Sequence, residues 1–156
     1  MRVLVLYESR RGFTLTVARR IRDELRDRGY ETTAAPIRGV DAGTLAAAGA
    51  FVVGTWVAGK IVAGVGPARQ CLEGIEALPP LDGRPAAVFC TYDVSPRGTL
   101  ATLASRLSGR GARVEIGGRF RNGPFPGARA RSLAKVPAFV DRALESFERL
   151  RPAPGT

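Results

Sequence analysis

Four apolar residues in a row, Val3-Leu4-Val5-Leu6, set the tightest limit on the fold, because a polar turn follows them and then apolar residues at helical spacing. Such a run suits a strand buried on both faces, the kind found inside a parallel sheet. After the turn Tyr7-Glu8-Ser9-Arg10-Arg11-Gly12-Phe13-Thr14, residues Val17, Ile21 and Leu25, with Phe13 and Ala18, mark one helix face. Arg19, Arg20, Asp23 and Arg26 take the other face, and Gly29 stands where a helix C-terminus favours a left-handed residue. A strand entering a helix through a short loop aims unpaired backbone N–H groups at one point, and the helix dipole favours negative charge there. Ser9, Arg10, Arg11 and Thr14 add donors, so the loop reads as a phosphate site. The competing account is an ordinary turn carrying surface arginines.

The same grammar repeats along the chain. Glu31 to Ile37, Thr-rich and holding Pro36, reads as a strand near a sheet edge. Asp41 is placed to cap a short helix over Thr44 to Ala48. Ala50 to Gly54 is a second buried strand, and Thr55 to Gly66 reads as a long glycine-punctuated loop. Pro67 suits the first position of a helix with Ala68, Cys71, Leu72, Ile75 and Leu78 on one face. Pro85 to Thr91 is a third buried strand, and the loop Tyr92 to Gly98 precedes a helix aligned on Leu100, Leu103, Ala104 and Leu107. Ala112 to Ile116 reads as a further strand, and Arg119 to Lys135 as a basic connection without a period. The final helix, Val136 to Leu150, has the cleanest apolar stripe.

Five strands alternating with five helical segments imply an α/β fold, a parallel sheet covered on both faces. Residues 1–151 read as one domain, with 152–156 as a frayed tail. Ligands of such sheets bind beyond the carboxyl ends of the strands, where three polar loops gather: Glu8–Phe13, Thr55–Gly66 and Tyr92–Arg97.

Composition narrows the function. With no histidine in 156 residues, the Ser-His-Asp triad, the Cys-His pair and histidine-bearing zinc sites are excluded. Cys71 and Cys90 form neither a disulfide framework nor a metal-ligand spacing, and no metal site is expected. No signal peptide pattern and no apolar run of about 20 residues appears, so a soluble, cytoplasmic chain without a membrane span is expected. The net charge of +10, almost all arginine, is spread along the chain with few interleaved aromatics, which disfavours a nucleic-acid partner. Gly54-x-x-x-x-Gly59-Lys60 resembles a nucleotide-binding P-loop, but Ile61 stands where a hydroxyl must hold magnesium. No Gly-x-Gly-x-x-Gly follows the first strand, which disfavours a Rossmann dinucleotide site.

Taken together, the chain resembles the flavodoxin family over nearly its whole length. Ser9-Arg10-Arg11-Gly12-Phe13-Thr14 is similar to the family loop Ser/Thr-x-x-Gly-Asn-Thr that wraps the phosphate of FMN, with Phe13 in place of the asparagine. Gly54-Thr55-Trp56-Val57-Ala58-Gly59 puts the sole tryptophan where family members stack an aromatic on the flavin ring, and Cys90-Thr91-Tyr92-Asp93 resembles the second flavin-contacting segment. The resemblance implies a flavodoxin-like, doubly wound, five-stranded parallel sheet of order 2-1-3-4-5 with helices on both faces. It implies non-covalent FMN held by Ser9, Arg10, Arg11, Gly12, Phe13 and Thr14 at the phosphate. Trp56 and Tyr92 would sandwich the ring, Thr55, Thr91 and Asp93 would contact its polar edges, and Val57 and Gly59 would also belong to the cofactor site. It implies electron transfer between redox partners. Flavodoxins are typically acidic, whereas Arg10, Arg11, Arg97 and Lys60 fall on the cofactor loops here, which points to partners with acidic surfaces and a stabilised reduced flavin. Two other functions are open: an FMN-dependent NAD(P)H:quinone-type oxidoreductase of the same fold, and a flavin-free basic interaction module. The oligomeric state is not legible.

Overall fold

The computed structural model describes residues 1–10, 12–60 and 63–152, with backbone alone at 59, 60, 63 and 64. The elements in chain order are β1 (Arg2–Glu8), α1 (Phe13–Asp27), β2 (Glu31–Pro36), α2 (Ala42–Ala47), β3 (Ala50–Lys60) and β4 (Ala63–Pro67). They continue with α3 (Arg69–Glu76), β5 (Pro85–Tyr92), α4 (Thr99–Gly109), β6 (Arg113–Arg121), α5 (Ala128–Leu133) and α6 (Val136–Leu150).

Five parallel strands lie in the order β2-β1-β3-β5-β6, which is 2-1-3-4-5 counted over the parallel strands alone. The apolar runs at Val3–Leu6, Phe51–Val53 and Ala86–Cys90 are the central strands, buried on both sides as their unbroken hydrophobicity requires. One face carries a core of Val3, Val5, Val17, Ile21, Phe89 and Phe120 with Phe139 and Phe147 of α6; the other holds Leu4, Leu6, Phe51 and Val53 with Ile75, Leu103 and Leu107. Phe120 stands edge-on to both Phe89 and Phe139, at centroid distances of 6.2 and 5.7 Å. At Gly54 an added Cβ would stand 2.0 Å from the Phe89 ring, so glycine there lets that ring lie across β3.

The observed elements differ from the sequence expectations in three stretches. Residues 55–66, expected as a loop, belong to an antiparallel hairpin in which β3 continues to Lys60 and pairs with β4. Residues 61 and 62, between its strands, lie outside the described residues. Pro67 closes β4 instead of opening the helix, which begins at Arg69. Of the stretch 119–135, expected as an irregular connection, Arg119–Arg121 completes β6 and Ala128–Leu133 forms α5, a sixth helix. The expected frayed tail lies largely outside the described residues.

Other local expectations match. Gly29 has φ +88° after α1. The Asp41 carboxylate caps α2, accepting from Thr44 N at 2.8 Å and from Thr44 Oγ1 at 2.7 Å. Those bonds hold its pKa below the usual carboxylate value, the hydroxyl contributing most. Among the described residues, no helix is long and apolar enough to cross a membrane.

Candidate functional site

The loop from β1 into α1 is shaped by one hydroxyl. Ser9 Oγ accepts from the backbone N–H of Gly12 at 3.2 Å and of Leu15 at 3.3 Å, pulling the loop round the helix N-terminus. Gly12 turns with φ +87°, a conformation that favours glycine, and its carbonyl starts the helix by accepting from Thr16 N. Among the described residues, the amides of Phe13 and Thr14 donate to nothing. These are the open donors on which the phosphate reading rests. The Phe13 side chain turns into the core beside Val136 and Phe139, so it serves the helix packing its spacing suggested. Thr14 is buried, and its hydroxyl shares a 2.7 Å hydrogen bond with that of Thr91, tying α1 to the carboxyl end of β5.

The second wall comes from β3 and β5. Trp56 and Thr91 are register partners at the carboxyl end of the sheet. Trp56 packs against the second core, the Arg10 guanidinium stands 5.2 Å from the centre of its ring, and its buried indole Nε1–H finds no acceptor among the described residues. Tyr92 and Asp93 follow at the exit of β5.

These walls enclose a partly open cleft of about 210 Å³, lined by Arg10, Phe13, Thr14, Trp56, Val57, Thr91, Tyr92, Asp93 and Asn122. Eight of the thirteen residues singled out from sequence therefore meet in one place. Ser9 and Gly12 shape the loop behind it. Thr55 does not face the cleft: it is fully buried, donating to the Trp56 carbonyl and accepting from Ala68 N, which pins the start of α3 to β3. Gly59 lies on β3 within the hairpin, and Arg11 lies outside the described residues. Asn122 was missed. It follows the last residue of β6, and its N–H donates to the Tyr92 carbonyl at 2.7 Å. An early end to this strand in the sequence reading hid its position.

The charged residues lining the cleft are Arg10 and Asp93. Among the described residues, Arg10, Arg97, Arg121 and Arg129 join no ion pair. No reactive thiol is offered: burial pushes both Cys90, next to Thr91, and Cys71 up to about 12, so both stay protonated at neutral pH.

The family model of flavodoxin matches residues 5–129, which spans β1 through the start of α5 and includes every wall of the cleft. The chain belongs to the flavodoxin family. Solved flavodoxins share its fold: oxidised flavodoxin 2 from Bacillus cereus is 23% identical with a TM-score of 0.74, covering 94% of this chain and 100% of its own. A cysteine mutant of the Pseudomonas aeruginosa flavodoxin is 22% identical with a TM-score of 0.70, over 93% of this chain and 99% of its own. Rubredoxin oxygen:oxidoreductase from Desulfovibrio gigas matches 93% of this chain with 36% of its length, at 16% identity and a TM-score of 0.66. No curated protein sequence matches the chain significantly.

Membership makes the chain a flavoprotein of the electron-transport class, with FMN as cofactor. The residues present fit that group. The open Phe13 and Thr14 amides offer an anion site, and the unpartnered indole N–H of Trp56 sits in the wall of the same cleft. The volume is below the roughly 300–1,000 Å³ usual for small-molecule sites, so FMN held here would leave part of its ring exposed or displace Arg10 from the Trp56 face.

Proposed function

We propose that this flavodoxin-family chain is an electron carrier that holds FMN in the cleft above β1, β3 and β5 and exchanges electrons with partners presenting acidic surfaces. The observation that carries the reading is the convergence of an open helix N-terminus and a half-buried tryptophan on one partly open cleft. FMN supplies the one- and two-electron chemistry when bound. The chain's own part is to orient it. Phe13 and Thr14 amides meet the phosphate, the Thr14–Thr91 bond keeps the α1 terminus in register with β5, and Trp56 and Tyr92 lie against the ring.

Partner choice rests on the rim. Phe125 and Val94 are the exposed large hydrophobics among the described residues, at 71% and 60%. They follow β6 and β5, on loops that also bear Arg97, and Arg121 closes β6 just before Phe125. Two apolar residues near unpaired arginines suit a partner with an apolar centre and a carboxylate rim, bound more weakly as salt rises. The same charges favour the reduced, more negative flavin, giving a less negative second potential than in acidic flavodoxins.

The test is an FMN titration of the flavin-free protein, following flavin emission and Trp56 emission together. Trp56 is the sole tryptophan, so it reports on one wall of the cleft. Saturable quenching of both supports the reading. Absence of quenching at micromolar FMN overturns it in favour of a flavin-free basic interaction module, and steady NADPH oxidation with a quinone by the isolated protein overturns the carrier role in favour of an oxidoreductase.

A further inference from the structure

Phe13 opens α1 at the cleft, and its ring is covered from outside by the guanidinium of Arg129, 5.1 Å from the ring centre. Arg129 belongs to α5, near the other end of the chain. Its Nε donates to Asn122 Oδ1 at 2.6 Å, and Asn122 is itself fixed by its backbone bond to the Tyr92 carbonyl. The guanidinium is thus oriented twice, by the ring beneath it and by the amide oxygen beside it. Both of its Nη groups carry no hydrogen bond among the described residues, and no carboxylate there pairs with it. Phe13 and Asn122, the two residues that hold the guanidinium, both line the cleft.

We propose that Arg129 is the phosphate-selecting residue of this cleft: it meets the anionic tail of the ligand together with the α1 amides and discriminates phosphorylated flavin from the uncharged nucleoside. The inference rests on the FMN reading and adds a residue to it. A planar guanidinium held by one edge presents its remaining N–H groups as a fork that matches two phosphate oxygens. The helix dipole and the open amides of α1 favour the same negative charge. Phe13 provides no side-chain hydrogen bond to an anion, so at this position the side-chain donors come from the residue stacked upon it.

A purely structural role, a lid over Phe13, makes a different prediction. Arg129→Met keeps an apolar stem over the ring and removes the charge and the fork. Arg129→Lys keeps the charge without the fork. Dissociation constants for FMN and for riboflavin are measured by Trp56 quenching at low ionic strength for the wild-type protein and both variants, with the thermal midpoint of each recorded. The expected result is that R129M weakens FMN by about 10- to 100-fold, the range for hydrogen bonds to charged groups. Riboflavin changes by less than about twofold, the midpoint is held, and R129K recovers part of the loss. Equal weakening of both ligands, or no change in either, overturns the assignment of Arg129 and leaves the cofactor reading standing. A wild-type chain that binds neither ligand overturns the cofactor reading and this assignment with it.

Discussion

Among the described residues, three arginines lie over aromatic rings, and they divide by what their N–H groups do next. Arg84, at the amino end of β5, stands 4.8 Å from the Phe51 ring and donates to three carbonyls: Leu81 from Nε, and Leu45 and Ala48 from one Nη. Two of those carbonyls belong to the end of α2, so Arg84 closes a helix C-terminus that would otherwise point orphan acceptors at the core. At the opposite pole, Arg10 over Trp56 makes no hydrogen bond among the described residues, and Arg129 over Phe13 makes one. The contact with the ring is the same. The free donors differ, and they mark the pole where an anion can still be bound.

Breaking Arg84 should have the largest effect. Arg84→Met strands three acceptors and is expected to cost about 2–3 kcal/mol of unfolding free energy, read by urea denaturation. Arg10→Met should leave the denaturation midpoint within error. If R10M destabilises as much as R84M, the division between engaged and free arginines fails.

Trp56→Leu removes the ring but keeps an apolar side chain against the second core. It should weaken FMN by about tenfold or more, from the loss of roughly 1–3 kcal/mol of stacking, as followed by flavin fluorescence. A smaller effect concerns Arg10 itself. Its guanidinium occupies the Trp56 face, so R10M should bind riboflavin a few-fold more tightly, while FMN gains less because a cation near its phosphate is lost. Isothermal titration with the two ligands separates these outcomes, and equal gains for both would refute the charge contribution.

The smallest effect lies at the other end of α2. Asp41→Asn should lower the thermal midpoint slightly at neutral pH. The folded-state pKa of Asp41 is depressed, so its contribution is present above the unfolded value near 3.8 and fades as pH falls through and below it. The gap between wild type and D41N should therefore close in acid, as seen by calorimetry at a series of pH values.

The parts of the molecule legible in sequence are those where one local signal suffices. Val3–Leu6 and Phe51–Val53 are continuous apolar runs, and a strand buried on both faces uses such a run. The Ser9–Thr14 motif and Trp56 carry enough chemistry to place both walls of the cleft before folding is considered. The hairpin did not announce itself. Its glycines resemble loop punctuation, and β3 continues past Trp56 only because Val57 and Ala58 find Pro67 and Gly66 across an antiparallel ladder. In β6 the apolar positions Val114, Ile116 and Phe120 keep a period of two, but Gly117-Gly118 between them resembles loop punctuation and ends the strand early on a local reading. That glycine pair concealed Asn122.

The alternating α/β order, the central strands and the family motifs are therefore written along the chain, because burial periodicity and turn chemistry are local properties. Which arginines are engaged and which are free is settled by folding. Arg84 and Arg129 are the same residue type with the same stem, and nothing near either in the chain distinguishes them. Their roles follow from what the tertiary structure brings within reach, the carbonyls of α2 for one and the edge of an open cleft for the other.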